Sequence, residues 1–307
     1  EADAHLALQW AQLQPRIVYD ETILRDGLGG LQVLVMPGCD VLTEGVLARI
    51  TRFQDDGGII VADEHACPAI MPDILLPSYK RTGKADEDKA ALQEMAATLR
   101  GELDDFYQRH ADSSDPDVVV RCRQLGGTDY LFAVNDRRTF GEYVGHHGLV
   151  MEKGLPSRAI LSISRPNGNV YDLVEHTPVS TEPRPNGISF DAELGPGEGT
   201  VFMVTDQPID RVEVDGTRRV NRGRQAELSI QVLDRRGDAV KAVIPVHVEV
   251  LDAESRAAEY SGYYGAQNGL LSLDLDIAAN DPVGQWMVRV TELGSGRHAA
   301  HTMRVVR

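Results

Sequence analysis

The sequence predicts a multidomain protein in which an α/β domain with a parallel sheet is followed by two antiparallel β-sandwiches. Helical and strand-type segments alternate in the first third of the chain, whereas short β-rich runs separated by turn residues fill the remainder. The length of 307 residues suits two or three domains at about 150 residues each. We place the three domains at residues 1–112, 113–209 and 210–307.

The composition excludes several classes of protein. Hydrophobic residues make up 42% and charged residues 25% of the chain, as in globular proteins and unlike disordered tails. No apolar run approaches the roughly 20 residues that a membrane-spanning helix needs. Asp and Glu outnumber Lys and Arg by 47 to 31, which gives a net charge of −16. Because such a chain repels phosphate groups, we expect neither nucleic acid binding nor membrane insertion.

The predicted α/β domain begins on a helix. Leu6, Trp10 and Leu13 lie at i, i+4 and i+7, which places them on one helical face. A short β-type run follows at residues 17–19, and a run that is apolar on both faces lies at Val33–Met36. An apolar run bounded by turn residues is typical of a strand in a parallel sheet that is covered on both sides.

A second helix and a second strand complete a βαβ unit. Thr43 is a favoured N-cap residue type, and the apolar side of the following helix ends at Phe53. Gly57 and Gly58 predict a left-handed helix C-cap, after which Ile59–Ala62 is a buried strand. Alternation of this kind predicts βαβ units and a parallel sheet.

A long helix closes the first domain. Its period runs from residue 84 to residue 110, with an apolar stripe at Leu92, Met95, Leu99, Leu103 and Phe106. The breaker sequence at residues 113–116, Ser-Ser-Asp-Pro, then ends the helix and marks a domain boundary.

The second domain has a different pattern. Turn signals rich in Gly, Pro, Asn and Asp separate its short β-rich runs, and no helix-length periodic segment interrupts them. Such regularly spaced strands predict an all-β sandwich. The runs lie at residues 118–120, 130–134, 159–163 and 201–204.

The third domain has strands with one apolar and one polar face. Apolar and polar residues alternate at Leu228–Val232 and again at Leu271–Ile277. Asp274 and Asp276 share the polar face of the latter run, where a solvated strand face is favoured over a calcium site. A block of about 100 residues with this pattern is typical of an immunoglobulin-like sandwich.

Candidate chemistry in the first domain lies at the C-terminal edge of the parallel sheet, where open α/β folds bind ligands. Two segments end there: residues 37–40 after the first buried strand, and residues 63–67 after the second. The segment Asp63–Cys67 places two carboxylates, an imidazole and a thiol within five positions after a strand. One hypothesis makes Cys67 a nucleophile and His65 its base. A polar loop that lines an interface is favoured, because Pro68 prevents the thiol from opening a helix whose dipole would lower its pKa.

Cysteine and histidine spacing predicts no metal site. Cys39, Cys67 and Cys122 are odd in number and lack short spacing, so they form neither a disulfide framework nor a metal knuckle. The adjacent His146 and His147 lie in a Gly-flanked loop, and the histidines lack the converging spacing of zinc ligands. We therefore assign no catalytic residue, no cofactor-binding residue and no metal ligand to this chain.

A cluster of tyrosines in the third domain has two interpretations. Tyr260, Tyr263 and Tyr264 lie around Gly262 and Gly265. Flat tyrosine rings in a loop stack on sugar rings, which is the first interpretation. The second is that the rings pack against the protein and anchor the loop.

The first domain resembles a known family in the order of its elements. A strand that ends in Pro is followed by a helix with a Phe near its end, then by two Gly residues and a second strand. The residues that carry this pattern are Val33–Pro37, Leu42, Thr43, Ile50, Phe53 and Gly57–Val61. They look like the class I glutamine-amidotransferase-like domain that follows the catalytic barrel in β-galactosidase-like glycoside hydrolases. The resemblance implies a flavodoxin-like parallel sheet. Active amidotransferases carry a cysteine directly after the strand, where this chain has Asp63 and Glu64, so the resemblance implies a structural role such as oligomerisation.

The later blocks extend the resemblance. Asp129–Asn135, Val170–Leu173 and Gly197–Gly199 look like the β-sandwich near the C-terminus of such hydrolases, and the third block resembles bacterial immunoglobulin-like modules. In this family, two catalytic carboxylates lie at strand ends of a barrel of about 250 residues. The α/β part of this chain is too short for such a barrel. We therefore expect the chain to be the C-terminal portion of a longer protein.

The expected function follows from this resemblance. We expect a non-catalytic accessory or oligomerisation portion of a glycoside-hydrolase-like protein, with the missing N-terminal barrel or a neighbouring subunit as its partner, and carbohydrate as a further ligand. Two alternatives stay open: a stand-alone surface, adhesion or binding module, and a hydrolase that uses the loop at residues 63–67. The immunoglobulin-like block favours a periplasmic or extracellular location.

Overall fold

The computed structural model describes residues 2–144 and 149–307, so His146 and His147 lie outside the described residues. Tertiary contacts divide the chain into two compact units. The first comprises Glu1–Val119, Asn135–Ser157 and Gly195–Gly197, and the second comprises Val120–Val134, Arg158–Leu194 and Glu198–Arg307. The three domain ranges inferred from the sequence stay a prediction. No described helix combines the length and the apolar character that crossing a bilayer requires.

The first unit contains helices and a small parallel sheet. The helices are α1 (Ala2–Trp10), α2 (Asp20–Asp26), α3 (Glu44–Asp55) and α4 (Ala85–Leu103). The sheet has the order β1 (Val33–Met36), β2 (Ile59–Ala62) and β3 (Ile74–Leu75), and all neighbours are parallel.

Helices cover both faces of this sheet, as the apolar runs predict. Leu34 and Ile60 pack with the buried faces of α2 and α3. Val61 points the other way and packs with Leu8 of α1 and Leu99 of α4. Successive strand residues alternate between the two layers, so each strand is apolar throughout.

The structure does not support the expected flavodoxin-like sheet. Among the described residues the parallel sheet has three strands, and β3 is only two residues long. The chain passes from β2 to β3 without a helix, and α4 then follows with no further parallel strand. The βαβ pattern established one local pairing, but it did not determine how many strands the sheet would contain.

Two local predictions also differ from the structure. Residues 17–19 form no strand, and both Ile17 and Tyr19 are exposed. The chain instead forms α2 directly afterwards, a short helix without a marked apolar period. The last helix ends at Leu103, so Phe106 lies beyond it and is exposed. Val18 alone of residues 17–19 packs against the core, so the predicted strand has little apolar surface to bury.

The C-terminus of α3 has the predicted glycine cap. The N–H of Gly58 donates to the carbonyl of Phe53 at 2.8 Å, and the N–H of Gly57 donates to Gln54 at 3.0 Å. Gly57 has a φ of +94°, in the left-handed region that favours glycine. At the other end, Thr43 holds the N-cap position but its side chain makes no capping hydrogen bond.

The remaining strands are mostly antiparallel. In chain order the next are β4 (Ala111–Ser113), β5 (Val118–Leu125), β6 (Thr128–Asn135), β7 (Arg138–Val144), β8 (Leu149–Gly154), β9 (Ser157–Ile163), β10 (Asn169–Asp172), β11 (Thr177–Val179), β12 (Glu182–Arg184), β13 (Gly187–Leu194) and β14 (Gly199–Thr205). Strands β7 and β8 form a pair in the first unit. In the second unit one sheet has the order β11-β10-β14-β6-β5, and another contains β12-β13-β9. Phe190 of β13 and Phe202 of β14 meet edge to face at 4.9 Å, so these two sheets pack as a sandwich.

The C-terminal block is a second antiparallel sandwich. Its strands are β15 (Arg211–Gly216), β16 (Arg219–Asn221), β17 (Gln225–Leu233), β18 (Ile244–Leu251), β19 (Gly262–Ala266), β20 (Leu270–Asp276), β21 (Gly284–Glu292) and β22 (His298–Val306). The sheets have the orders β15-β17-β20 and β16-β22-β21-β18-β19, and only the β16–β22 pairing is parallel among those described. Ile230 and Val248, one from each sheet, belong to the same buried core.

The glycine after α3 offers a test of packing in the first unit. A Cβ on Gly58 would lie 2.4 Å from ring atoms of the buried Phe53. We expect Gly58→Ala to lower the free energy of unfolding by about 1–3 kcal/mol, because the new methyl group forces the core residue Phe53 to shift. Denaturant unfolding measures this loss.

Gly101 is the matched control. It lies within α4 and nothing stands within 4 Å of the position of its Cβ. Gly101→Ala should raise stability by up to about 1 kcal/mol, because alanine favours the helix. Equal stability changes in the two variants would contradict the packing account.

Candidate functional site

The C-terminal edge of the parallel sheet holds the two loops that follow its buried strands. Residues 37–40 follow β1 and residues 63–67 follow β2, and we call these segments the edge loops. Because β1 and β2 are parallel neighbours in register, both loops leave the sheet at one edge. The structure therefore brings together the two segments that the apolar runs placed there.

One carboxylate ties the edge loops together. Asp63 is 8% exposed, and its Oδ2 accepts a hydrogen bond from the backbone N–H of Gly38 at 2.7 Å. Its Oδ1 accepts a second from the backbone N–H of His65 at 3.0 Å. Buried carboxylates require such donors, and here both oxygens have one. Asp63 is therefore a structural acceptor at the sheet edge.

The neighbouring carboxylate is also held by donors. Glu64 accepts hydrogen bonds from the Ser78 hydroxyl at 2.5 Å and from the Ser78 backbone N–H at 3.0 Å. The Ser78 hydroxyl contributes most to lowering the pKa of Glu64 to about 2. The His65 ring lies close by, with Nε2 at 3.6 Å from Oε1 of Glu64. Glu64 is thus an ionised, partly exposed group at neutral pH.

The structure does not form the nucleophile and base pair considered from the sequence. Among the described residues, the Cys67 thiol makes no hydrogen bond to the His65 ring, whose ionic neighbour is Glu64. The backbone N–H of Cys67 instead donates to the carbonyl of Cys39 at 2.7 Å. The edge loops are therefore joined through their backbones beside the Asp63 contacts.

The third cysteine has a different environment. Cys122 lies on β5, and its Sγ is 3.6 Å from Oδ1 of Asp129. Burial, followed by the charge of Asp129, raises the pKa of Cys122 to about 12. Arg165 neutralises the same carboxylate through Nη1 at 2.6 Å. Sequence reasoning missed this buried ion pair, because its partners lie in separate turns and strands with no motif to link them.

The tyrosine cluster divides into anchoring and exposed members. The hydroxyl of Tyr260 accepts from the N–H of Asp276 at 2.7 Å, and the hydroxyl of Tyr264 donates to the carbonyl of Tyr260 at 2.7 Å. Both rings also pack against the core of the C-terminal sandwich. These two tyrosines fit the anchoring interpretation.

Tyr263 is the exposed member. Its side chain is 77% exposed on β19, the edge strand of the five-stranded sheet. It lies opposite His247 of β18, with the two ring centroids 4.7 Å apart. The histidine contact orients the tyrosine ring while leaving most of its surface accessible.

The strand face that carries Asp274 and Asp276 is solvated, as the alternation predicts. Both aspartates are exposed on β20, with Leu275 between them fully buried. Gln225 donates from Nε2 to Oδ1 of Asp276 at 3.1 Å. A hydrogen bond from a neighbouring strand thus satisfies one of the two carboxylates.

Comparison with known proteins gives only remote likenesses. No family model and no curated protein matches this chain. Among solved structures, the chain is similar to the α-L-fucosidase isoenzyme 2 from Paenibacillus thiaminolyticus, with 12% identity over 66% of this chain and a TM-score of 0.47. It spans 44% of that fucosidase chain, which is less than half its length.

Two further likenesses are weaker in TM-score. A family 2 glycosyl hydrolase from Bacteroides cellulosilyticus shows 10% identity, with 59% of this chain and 27% of that chain covered and a TM-score of 0.22. The CARDB domain from Pyrococcus furiosus, solved in complex with di-metal ions, shows 17% identity, with coverages of 31% and 86% and a TM-score of 0.23. Each of these TM-scores lies below 0.5, so the likenesses establish no function.

The Ser78 contact predicts a change in the titration of Glu64. We expect Ser78→Ala to raise the pKa of Glu64 from about 2 towards its ordinary value of 4.5, because the hydroxyl donor is lost. A lowered pKa in the folded state stabilises the fold above pH 4.5, and this contribution is lost as pH falls towards 2. NMR titration of the carboxyl carbon measures the shift.

Ser272→Ala is the control for this titration. Ser272 lies on the exposed face of β20 and has no contact with Glu64. It should leave the Glu64 titration unchanged. A Glu64 pKa that stays near 2 in Ser78→Ala would show that another donor holds the carboxylate.

Proposed function

We propose that this chain is a non-catalytic accessory portion of a larger carbohydrate-active protein. In this proposal the first unit provides a protein interface and the C-terminal sandwich contacts glycan. The observation that carries the proposal is the burial of the Asp63 carboxylate, which is 8% exposed and whose two oxygens each accept from a backbone N–H. A catalytic carboxylate must present an oxygen to the substrate or to an attacking water. Asp63 uses its oxygens to hold the edge loops.

The titration of Glu64 supports the same proposal. A general acid works best when its pKa lies near the operating pH. The Ser78 hydrogen bonds hold the pKa of Glu64 at about 2, so the group carries no proton to donate at neutral pH. Glycoside hydrolysis requires one protonated and one ionised carboxyl group facing each other across the scissile bond. Glu64 is therefore not the protonated member of such a pair.

Exposed apolar side chains support an interface role for the first unit. Val41 directly follows the first edge loop and is 82% exposed, and Met71 lies shortly after the second and is 84% exposed. Leu75 on β3 is also exposed. Met71 lies at the other end of the strands from Val41, because its carbonyl accepts from Nε2 of Gln54 near the end of α3. Burial of such side chains against a protein partner is favourable, because it removes apolar surface from water. The partner in this proposal is a preceding catalytic barrel or a neighbouring subunit.

Tyr263 supports a weak glycan contact. Aromatic rings bind sugars through their flat faces, and this ring is exposed and oriented by His247. A single ring of this kind suits a low-affinity contact that keeps a larger protein near its polymer substrate. The anchoring roles of Tyr260 and Tyr264 leave Tyr263 as the accessible ring of the cluster.

The proposal predicts that the isolated chain has no glycosidase activity. A panel of nitrophenyl glycosides should release nitrophenolate no faster than buffer, because the edge loops lack an acid and a nucleophile in position. A catalytically competent glycosidase assayed in parallel confirms that the substrates are sound. Turnover by the isolated chain above the buffer rate would overturn the proposal, and its loss in Cys67→Ser would favour the hydrolase alternative.

Polysaccharide retention tests the glycan contact. Immobilised polysaccharides are screened first for one that retains the chain. On that polysaccharide we expect Tyr263→Ala to lower retention at least about threefold, because the lost ring contact contributes roughly 1 kcal/mol of binding free energy. Tyr263→Phe should retain binding, because the ring face is preserved. Tyr19→Ala removes a tyrosine of the first unit that is 67% exposed, against 77% for Tyr263, and is the matched control. Equal losses in the two alanine variants would contradict a role for Tyr263.

A further inference from the structure

The edge loops bring together two cysteines that are distant in sequence. The N–H of Cys67 donates to the carbonyl of Cys39 at 2.7 Å. Standard bond lengths on either side of that hydrogen bond limit the separation of the two Cα atoms to about 6.6 Å. Disulfides form between Cα atoms about 4.4–6.8 Å apart. The upper limit on this separation therefore lies inside the disulfide range. In the reduced protein the Cys39 thiol contacts the carbonyl of Pro37 at 3.8 Å, and a disulfide would replace this contact because it removes the thiol proton.

The surrounding hydrogen bonds maintain this separation. Asp63 joins the two loops by accepting from Gly38, the residue before Cys39. Asp63 also closes the turn that leads to Cys67, because its carbonyl accepts from the N–H of Ala66 at 3.2 Å. Asp63 therefore holds the residue directly before each cysteine, Gly38 before Cys39 and Ala66 before Cys67. Such pre-organisation raises the effective concentration of one thiol at the other.

We propose that Cys39 and Cys67 form a disulfide when the protein meets a low-molecular-weight disulfide. The thiolate of one cysteine attacks the oxidant, forms a mixed disulfide and releases one small thiol. The second cysteine then attacks the mixed disulfide as its thiolate and releases the second small thiol. The two cysteines together lose two protons and two electrons, and the oxidant is reduced to two thiols. Both residues are half-buried, so a small oxidant reaches them at the loop surface.

The bond would connect the ends of one βαβ unit. It would run from the loop after β1 to the loop after β2, with α3 between them in the chain. Closing this loop restricts the unfolded chain and so stabilises the fold. Cys122 provides an internal contrast, because burial raises its pKa to about 12 and keeps it a thiol.

The test uses the whole chain incubated with excess oxidised glutathione, followed by maleimide labelling under denaturing conditions. We expect two of the three cysteines to be protected, and a tryptic digest to contain one peptide pair linked through Cys39 and Cys67. The thermal midpoint of the oxidised protein should rise by several degrees and return on reduction. Full maleimide labelling, or glutathione that stays attached to both cysteines, would overturn the proposal.

Single substitutions complete the test. Cys67→Ser should leave Cys39 as a glutathione adduct and remove the rise in thermal midpoint. Cys122→Ser is the matched control and should preserve the cross-link. If a variant fails to fold, the labelling and peptide analysis of the wild-type chain still decide whether the cross-link forms. The result is also independent of glycosidase and polysaccharide assays, so its failure leaves the accessory function untouched.

Discussion

Strand register is the constraint on which most of this structure depends. Side chains alternate between the two faces of a strand, so a shift of one residue would turn every buried side chain of that strand towards solvent. On β18, Ile244, Val246, Val248 and Val250 are all fully buried, and the residues between them are not. The cost of exposing four such side chains keeps β18 aligned with β19 and β21. The outward positions, including His247 and Tyr263, are determined as a consequence.

A second requirement, that buried polar groups find partners, explains the edge loops. Parallel strands end with backbone N–H groups that have no partner in the sheet, and the Asp63 carboxylate satisfies two such groups. The same position in the fold is where many α/β proteins place their chemistry. In this chain the polar residues at that edge stabilise the loops, and Val41, directly after the first edge loop, remains exposed. Scaffold and interface roles are therefore compatible at one edge.

The interpretations that failed share a physical cause. Residues 17–19 have β-type side chains but no neighbouring strand with which to pair, so they form no strand. Phe106 continues the apolar period of α4, yet the helix ends before it reaches a surface on which that ring could pack. The size of the parallel sheet likewise depended on how many strands could pair side by side. Local pattern indicates what a segment prefers, whereas pairing depends on segments elsewhere in the chain.

By itself the sequence determined the elements that carry their own periodicity or turn chemistry. These include the strands β1 and β2, the glycine cap at Gly57, and the alternating strands of the C-terminal sandwich. It also placed the edge loops together, because parallel neighbours end at one edge. Only the tertiary structure decided which oxygens of Asp63 were occupied, which tyrosine was exposed, and that Cys39 lies beside Cys67. Those outcomes depend on distances of a few ångströms between residues far apart in the chain, which no local spacing encodes.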